Sequence, residues 1–221
     1  MQKLVKIVLA SSILAFAAAT PVMTQVAVGQ QSSQDVAALP ADLQAAVAIL
    51  PAAQQRRLLA NINALSPAQR ASLLSLPAAQ IAAVATLRPD QVTAIVSLPP
   101  AQFAAVASAV ANVNSAARTG GTAAVGAAMA QLNVALLAAE DTALLDSVTV
   151  GVAANVAEEA AAAPAGAPIR QNAQAVVTAA ATSLPANSPQ IAVLQTAAAA
   201  VASGSTTVDP AIGALNEASP T

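Results

Sequence analysis

Cysteine, histidine, tryptophan and tyrosine are absent from all 221 residues. Without cysteine there is no disulfide scaffold, no thiolate metal site and no lipid-modified N-terminal cysteine. Lysine occurs only at Lys3 and Lys6, and phenylalanine only at Phe16 and Phe103. Beyond residue 19, nucleophile–base pairs of the Ser/His, Cys/His or Ser/Lys type therefore lack one member. Histidine-bearing zinc and iron sites fall on the same ground. Sugar and single-stranded nucleic-acid sites rest on aromatic stacking platforms, which one phenylalanine does not supply. Charge is scarce as well, at 8% of residues. After residue 19 six arginines face ten carboxylates, a formal charge of −4 that suits a phosphate backbone poorly, so no nucleic-acid partner is expected. The composition predicts no enzyme, and no catalytic, cofactor-binding or metal residue is singled out.

Export is what the N-terminus does suggest. Lys3 and Lys6 precede an apolar run over 7–19, interrupted only by Ser11 and Ser12, and Ala17-Ala18-Ala19 satisfies the small-x-small cleavage rule. Residues 1–19 read as a secretory signal peptide. A retained anchor is the alternative, but the uncharged stretch before Pro21 is shorter than the ~20 residues that a spanning helix needs.

Apolar residues make up 57% of the chain, yet 65 of the 221 residues are alanine. Alanine loses no side-chain entropy in a helix, so propensity favours helices throughout. It also buries little: a methyl contributes about 0.8 kcal/mol where leucine or isoleucine contributes about 1.5 to 3. An all-α protein with close helix contacts follows.

Residues 20–38, with Gln30-Gln31-Ser32-Ser33-Gln34 at their centre, lack an apolar period and read as a flexible leader. From 39 to 108 an eleven-residue repeat takes over, clearest in Leu65-Ser66-Pro67-Ala68-Gln69, Leu76-Pro77-Ala78-Ala79-Gln80, Leu87-Arg88-Pro89-Asp90-Gln91 and Leu98-Pro99-Pro100-Ala101-Gln102. Leucine comes first, glutamine fifth, and the sixth, ninth and tenth positions are mainly apolar, as in Val92, Ile95 and Val96. Spacings of three and four place these on one helical face. Eleven residues in three turns would also suit one long right-handed supercoiled helix. Proline in every copy argues against it, because each internal proline costs roughly 3 kcal/mol. Placed in a first turn, proline costs no hydrogen bond, and Ser66 with Gln69 forms a capping-box pattern. Each copy therefore starts a new short helix. Helices of this length do not persist alone, so 39–108 is expected to be a small array or α-solenoid of about six helices. The second copy, 50–64, is four residues longer, about one helical turn, and is expected to project one turn further.

Beyond 108 the period is lost and alanine dominates. Helices are expected over 100–117, 122–139, 141–163, 169–183 and 189–202, within an Ala-rich region spanning 109–203, followed by a disordered tail over 204–221. Ser147-Val148-Thr149-Val150-Gly151-Val152 alternates like a strand, but a lone strand would have no partner, so the segment is read as helix.

Three constellations invite a sharper reading. Glu140, Asp141 and Asp146 gather at one helix start, with Glu158 and Glu159 near its end; without a calcium-loop pattern, the helix dipole accounts for carboxylates at a start. Arg56, Arg57 and Arg70 suggest either a small anion-docking spot or a solvated helix face, and the lack of lysine favours the face. Ser75, Thr86, Ser97 and Ser108 recur at the eleventh position. That spacing is similar to the alanine-rich helical ice-binding proteins, whose threonines recur every eleven residues; the resemblance would imply ice binding, whereas turn or capping roles account for the same hydroxyls. The functional expectation is an exported, noncatalytic structural or protein-interaction protein, periplasmic or extracellular, with a protein partner. Peripheral membrane association is the alternative, and ice binding a distant one.

Overall fold

Proline decides where the early helices begin, by two placements. The computed structural model describes Ala37 and residues 39–202, so the signal peptide, the rest of the leader and the tail lie outside the described residues. Ten helices run through them: α1 (Ala41–Ala48), α2 (Ala52–Ala64), α3 (Pro67–Leu74), α4 (Ala78–Ala85), α5 (Pro89–Val96), α6 (Pro100–Thr119), α7 (Thr122–Leu137), α8 (Thr142–Ala162), α9 (Pro168–Ser183) and α10 (Gln190–Ala202). Where proline is the second residue of a copy it becomes the N-cap, at Pro40, Pro51, Pro77 and Pro99. Where it is the third it opens the first turn, as Pro67, Pro89 and Pro100 do. Ser66 and Gln69 form the expected box: Gln69 N–H donates to Ser66 Oγ at 3.3 Å and Ser66 N–H to Gln69 Oε1 at 3.2 Å. A proline N-cap has no such hydroxyl. There Gln44 and Gln55 reach back over the proline instead and donate to the Leu39 and Leu50 carbonyls, at 2.7 and 2.9 Å.

The repeat's ninth residue is its anchor. Val47, Leu58, Leu73, Val84, Ile95 and Val106 are all fully buried, at 0% exposure. The sixth position is less uniform: Ile81, Val92 and Phe103 are buried, while Arg70 caps α2. A full aliphatic side chain every eleven residues offsets the little that alanine contributes. The array is not a one-dimensional stack of neighbours. α2 packs on α4, α3 on α5 and α4 on α6, each helix meeting the one two places along, and α1 crosses to α4. α2 runs 13 residues where α1, α3, α4 and α5 run eight, the longer helix that the insertion implied, and it is packed rather than free. Leu58, Leu59, Asn61 and Ile62 are buried, and Asn61 Nδ2 donates to the Ala85 and Leu87 carbonyls at 2.8 and 2.7 Å.

The Ala-rich helices fall where their breaks imply, and 147–152 is helical. α6, α7, α8 and α9 form a four-helix bundle in which every pair of helices touches, with α10 laid against α8 and α9. α6 starts as the sixth repeat helix and ends as a bundle helix, so one continuous element joins the two regions. α8 lies at the centre: Leu144 and Leu145, then every residue from Ser147 to Ala157, are buried. This run is buried on all sides, which marks a helix enclosed by others. Alanine and glycine let those neighbours approach closely.

Candidate functional site

The polar residues that α8 carries into the core define the most organised cluster among the described residues. Asn155 lies 6% exposed on the face towards the repeat. Its backbone carbonyl accepts from Gln54 Nε2 at 3.0 Å, its Oδ1 accepts from Arg57 Nη1 at 2.9 Å, and its Nδ2 donates to Thr86 Oγ1 at 3.2 Å. Arg57 also donates to the Thr86 carbonyl at 3.1 Å and, through Nη2, to Glu158 Oε2 at 3.1 Å. Thr86 in turn donates to the Ala83 carbonyl at 3.0 Å. A guanidinium, a carboxamide, a hydroxyl and a carboxylate, drawn from α2, the end of α4 and α8, thus satisfy one another.

A second joint lies nearer the start of α8, at Ser147. Gln91 Oε1 accepts from Arg88 N–H at 3.1 Å, closing the α5 cap, while Gln91 Nε2 donates to the Ser147 carbonyl at 2.8 Å and to Ser147 Oγ at 3.2 Å. Gly151, one turn along, leaves the space for that carboxamide: a Cβ there would overlap it. Gln102 Nε2 reaches the Ala138 carbonyl at 3.0 Å. The repeat glutamines are therefore more than caps: Gln54, Gln91 and Gln102 tie the array to the Ala-rich half. Sequence reasoning missed this role, and missed Asn61, Asn155 and Asn172. The available signal was an amide set inside an otherwise apolar face, since a buried amide must find partners.

The arginines are anchored rather than displayed. Arg118 Nε and Nη2 grip Glu159 at 2.6 and 2.9 Å. Arg70 donates to the Ile62, Asn63 and Leu65 carbonyls, and Arg170 to those of Ala161 and Ala163, so each caps the helix before its own. Asn172 does the same for α6 through the Ala117 and Gly120 carbonyls. Of the expected cluster Arg56, Arg57 and Arg70, only Arg56 lies exposed. The solvated-face reading is corrected for Arg57, which is drawn inward because Asn155 and Glu158 await it.

The carboxylates separate into different roles. Asp141 is the N-cap of α8, accepting from Leu144 N–H at 3.0 Å, as the dipole reading expects. Glu140 is exposed with φ 55°, an uncommon left-handed position for a non-glycine residue. Asp146 departs from the dipole explanation. It packs against Ser188, its Oδ1 is buried with no hydrogen-bond partner, and burial pushes its carboxyl above the ordinary aspartate range although the Ser188 hydrogen bond pulls the other way. Glu158 and Glu159 lie near the C-terminus of α8, where the dipole disfavours them, and Arg57 and Arg118 offset that cost. No three potential metal-ligating side chains converge among the described residues.

Three of the four hydroxyls in the series occupy helix ends, whereas Ser108 lies inside α6, so the turn or capping role is corrected for it. Ser75, Thr86 and Ser97 are C-cap residues whose hydroxyls return to the preceding turn, at Ser72, Ala83 and Thr93. Thr86 is buried at 2% exposure, so the series does not form one solvent-facing row.

Two hollows flank α6. A shallow groove of about 580 Å³ runs between α6 and α7 past Ala105, Ala109, Gln131 and Val134. A more enclosed cavity of about 190 Å³ lies among α1, α4 and α6, with Ala83, Ala111, Asn114 and Arg118 in its lining. No family model, curated protein or solved structure matches the chain.

Proposed function

We propose that the chain is an exported, noncatalytic scaffold that acts through protein contacts in the periplasm or outside the cell. The observation that supports this reading is where its hydrogen-bonding side chains are used. Arg57, Arg70, Arg118 and Arg170, with Gln54, Gln91, Asn61, Asn155 and Asn172, hold helices to one another. These nine side chains are spent on joining the chain's own elements, as suits a protein built for shape. The Lys3/Lys6 and Ala17-Ala18-Ala19 pattern supports export.

Expression of the full chain with a C-terminal tag in a host that has a periplasm tests both halves of the proposal. Periplasmic or secreted protein whose N-terminus begins after residue 19, with discrete crosslinked adducts of higher mass, is the expected result. Cytoplasmic protein retaining Met1 overturns the export half, and an inert monomer without adducts overturns the interaction half.

Peripheral membrane association is the second reading, and α7 favours it. Its 16 residues carry no charge, and Val134 and Leu137 are 68% and 56% exposed. No helix among the described residues is long and apolar enough to cross a membrane. Flotation of the mature chain with liposomes separates the two readings.

A further inference from the structure

Asp146 joins α8 to the start of α10. Its carboxyl meets the Ser188 hydroxyl. Ser188 stands just before α10, where its carbonyl accepts from Ile191 N–H at 3.2 Å and its own N–H donates to the Pro185 carbonyl at 2.8 Å. The same hydroxyl donates to Gln190 Oε1, and Gln190, at 5% exposure, opens the helix. A hydroxyl has one hydrogen to give. With Asp146 ionised, that hydrogen is divided between a carboxylate and a carboxamide oxygen, while Asp146 Oδ1 is buried without a partner. A proton on Asp146 completes the set: Asp146 O–H donates to Ser188 Oγ and Ser188 O–H to Gln190 Oε1. The oxygen left over is then a neutral carbonyl, which costs less to bury than a charge. Little apolar contact stands beside this cluster. α10 packs on α8 and α9, and its buried apolar side chains are Leu194 and the Ala197 methyl.

We propose that Asp146, Ser188 and Gln190 form a proton-operated latch, closed on α10 when Asp146 carries a proton and loosened when Asp146 is ionised. Burial of the Asp146 carboxyl acts in the same direction, since it favours the neutral form. The charged groups on the elements packed against α8 are engaged with other partners. Arg88 pairs with Asp90 at the start of α5, Arg118 of α6 with Glu159, and Arg57 of α2 with Glu158. Arg170 of α9 holds the Ala161 and Ala163 carbonyls, and α7 and α10 bring no charge at all. At the start of α8 itself, Asp141 caps the first turn and Glu140 is exposed. Ser188 and burial are therefore what act on Asp146, and the latch answers to pH through that one carboxyl. The inference does not depend on export or on a protein partner.

Amide hydrogen exchange of the full chain, read by mass spectrometry as protection relative to the intrinsic rate at each pH, tests it at about pH 7 and about pH 4. Protection over 190–202 is expected to be about threefold or more higher at the acid pH, with 52–64 and 100–119 rising by less. Asp146→Asn, which keeps a donor for Ser188 and carries no charge, should hold 190–202 at the acid level of protection at both pH values. A smaller rise over 190–202 in the unaltered chain, an equal rise in the other two segments, or a pH response that persists in a folded Asp146→Asn chain overturns the latch. Because the comparison of segments uses the unaltered chain, it decides the question even where the variant does not fold.

Discussion

Gly151 and the Gln91 carboxamide occupy one space: the missing Cβ on α8 is what lets the α5 glutamine reach the Ser147 carbonyl at 2.8 Å. Glycine costs a helix interior about 1 kcal/mol relative to alanine, so local propensity alone argues for replacing it. Gly151→Ala is nevertheless expected to destabilise the protein by about 1 to 3 kcal/mol, because the added methyl displaces a buried, hydrogen-bonded amide. Urea unfolding checks this, and a more stable variant would show that the contact is dispensable.

Asn155 is the centre of the larger joint. Asn155→Ala leaves Arg57 Nη1 without its carboxamide acceptor and Thr86 Oγ1 without its donor. A loss of about 2 to 3 kcal/mol is expected from these interrupted partners. Arg57→Ala combined with it should cost less than the two changes summed, since both break one network. Strict additivity in a double-mutant cycle would show instead that the groups act independently.

Asp146 sets a pH dependence of definite sign. Its carboxyl is pushed up in the folded chain from the ordinary value of 3.8, so the folded state binds the proton more tightly than the unfolded state does. Its contribution to stability therefore rises as pH falls through the folded-state value, and at neutral pH its charge opposes folding. Asp146→Asn is expected to raise the melting temperature at about pH 7 and to lessen that gain on acidification towards about pH 4. Parallel melts of both proteins across this range measure it; an equal or lower melting temperature for the variant at neutral pH would remove Asp146 from the account.

The repeat makes a position-specific prediction. Ile95, a ninth-position residue with 0% exposure, should cost about 2 to 5 kcal/mol when changed to alanine. Leu74, a tenth-position residue with 39% exposure, should cost markedly less. Chemical unfolding of Ile95→Ala and Leu74→Ala side by side reads the contrast, and comparable losses would mean that the ninth position is no special anchor.

Helix boundaries were legible because local chemistry writes them. Proline cannot sit inside a helix without cost, so Pro67, Pro89 and Pro168 mark starts within a residue or two. The apolar period likewise pointed to Val92, Ile95 and Val96 as core. The ends of α6 and α8 followed from Gly120 and Pro164. In each case the deciding interaction lies within one or two helical turns, and a linear pattern records it.

The long-range partners were not legible, since distance along the chain carries no sign of them. Arg57 follows two surface-type residues, Gln55 and Arg56, in sequence, yet meets Glu158, 101 residues away. Gln91 reads as a capping residue, and it is one, but nothing near it names Ser147, 56 residues on. Composition and spacing thus determined that this chain is all helix, where its short helices begin and that the ninth position of each copy lies in the core, because propensity, proline geometry and amphipathic period are local. Only the folded chain decided which helices meet, that α8 would be enclosed by the others, and that the scarce amides and arginines would bridge the two regions: a buried polar group must pair, and packing alone determines which partner stands within reach.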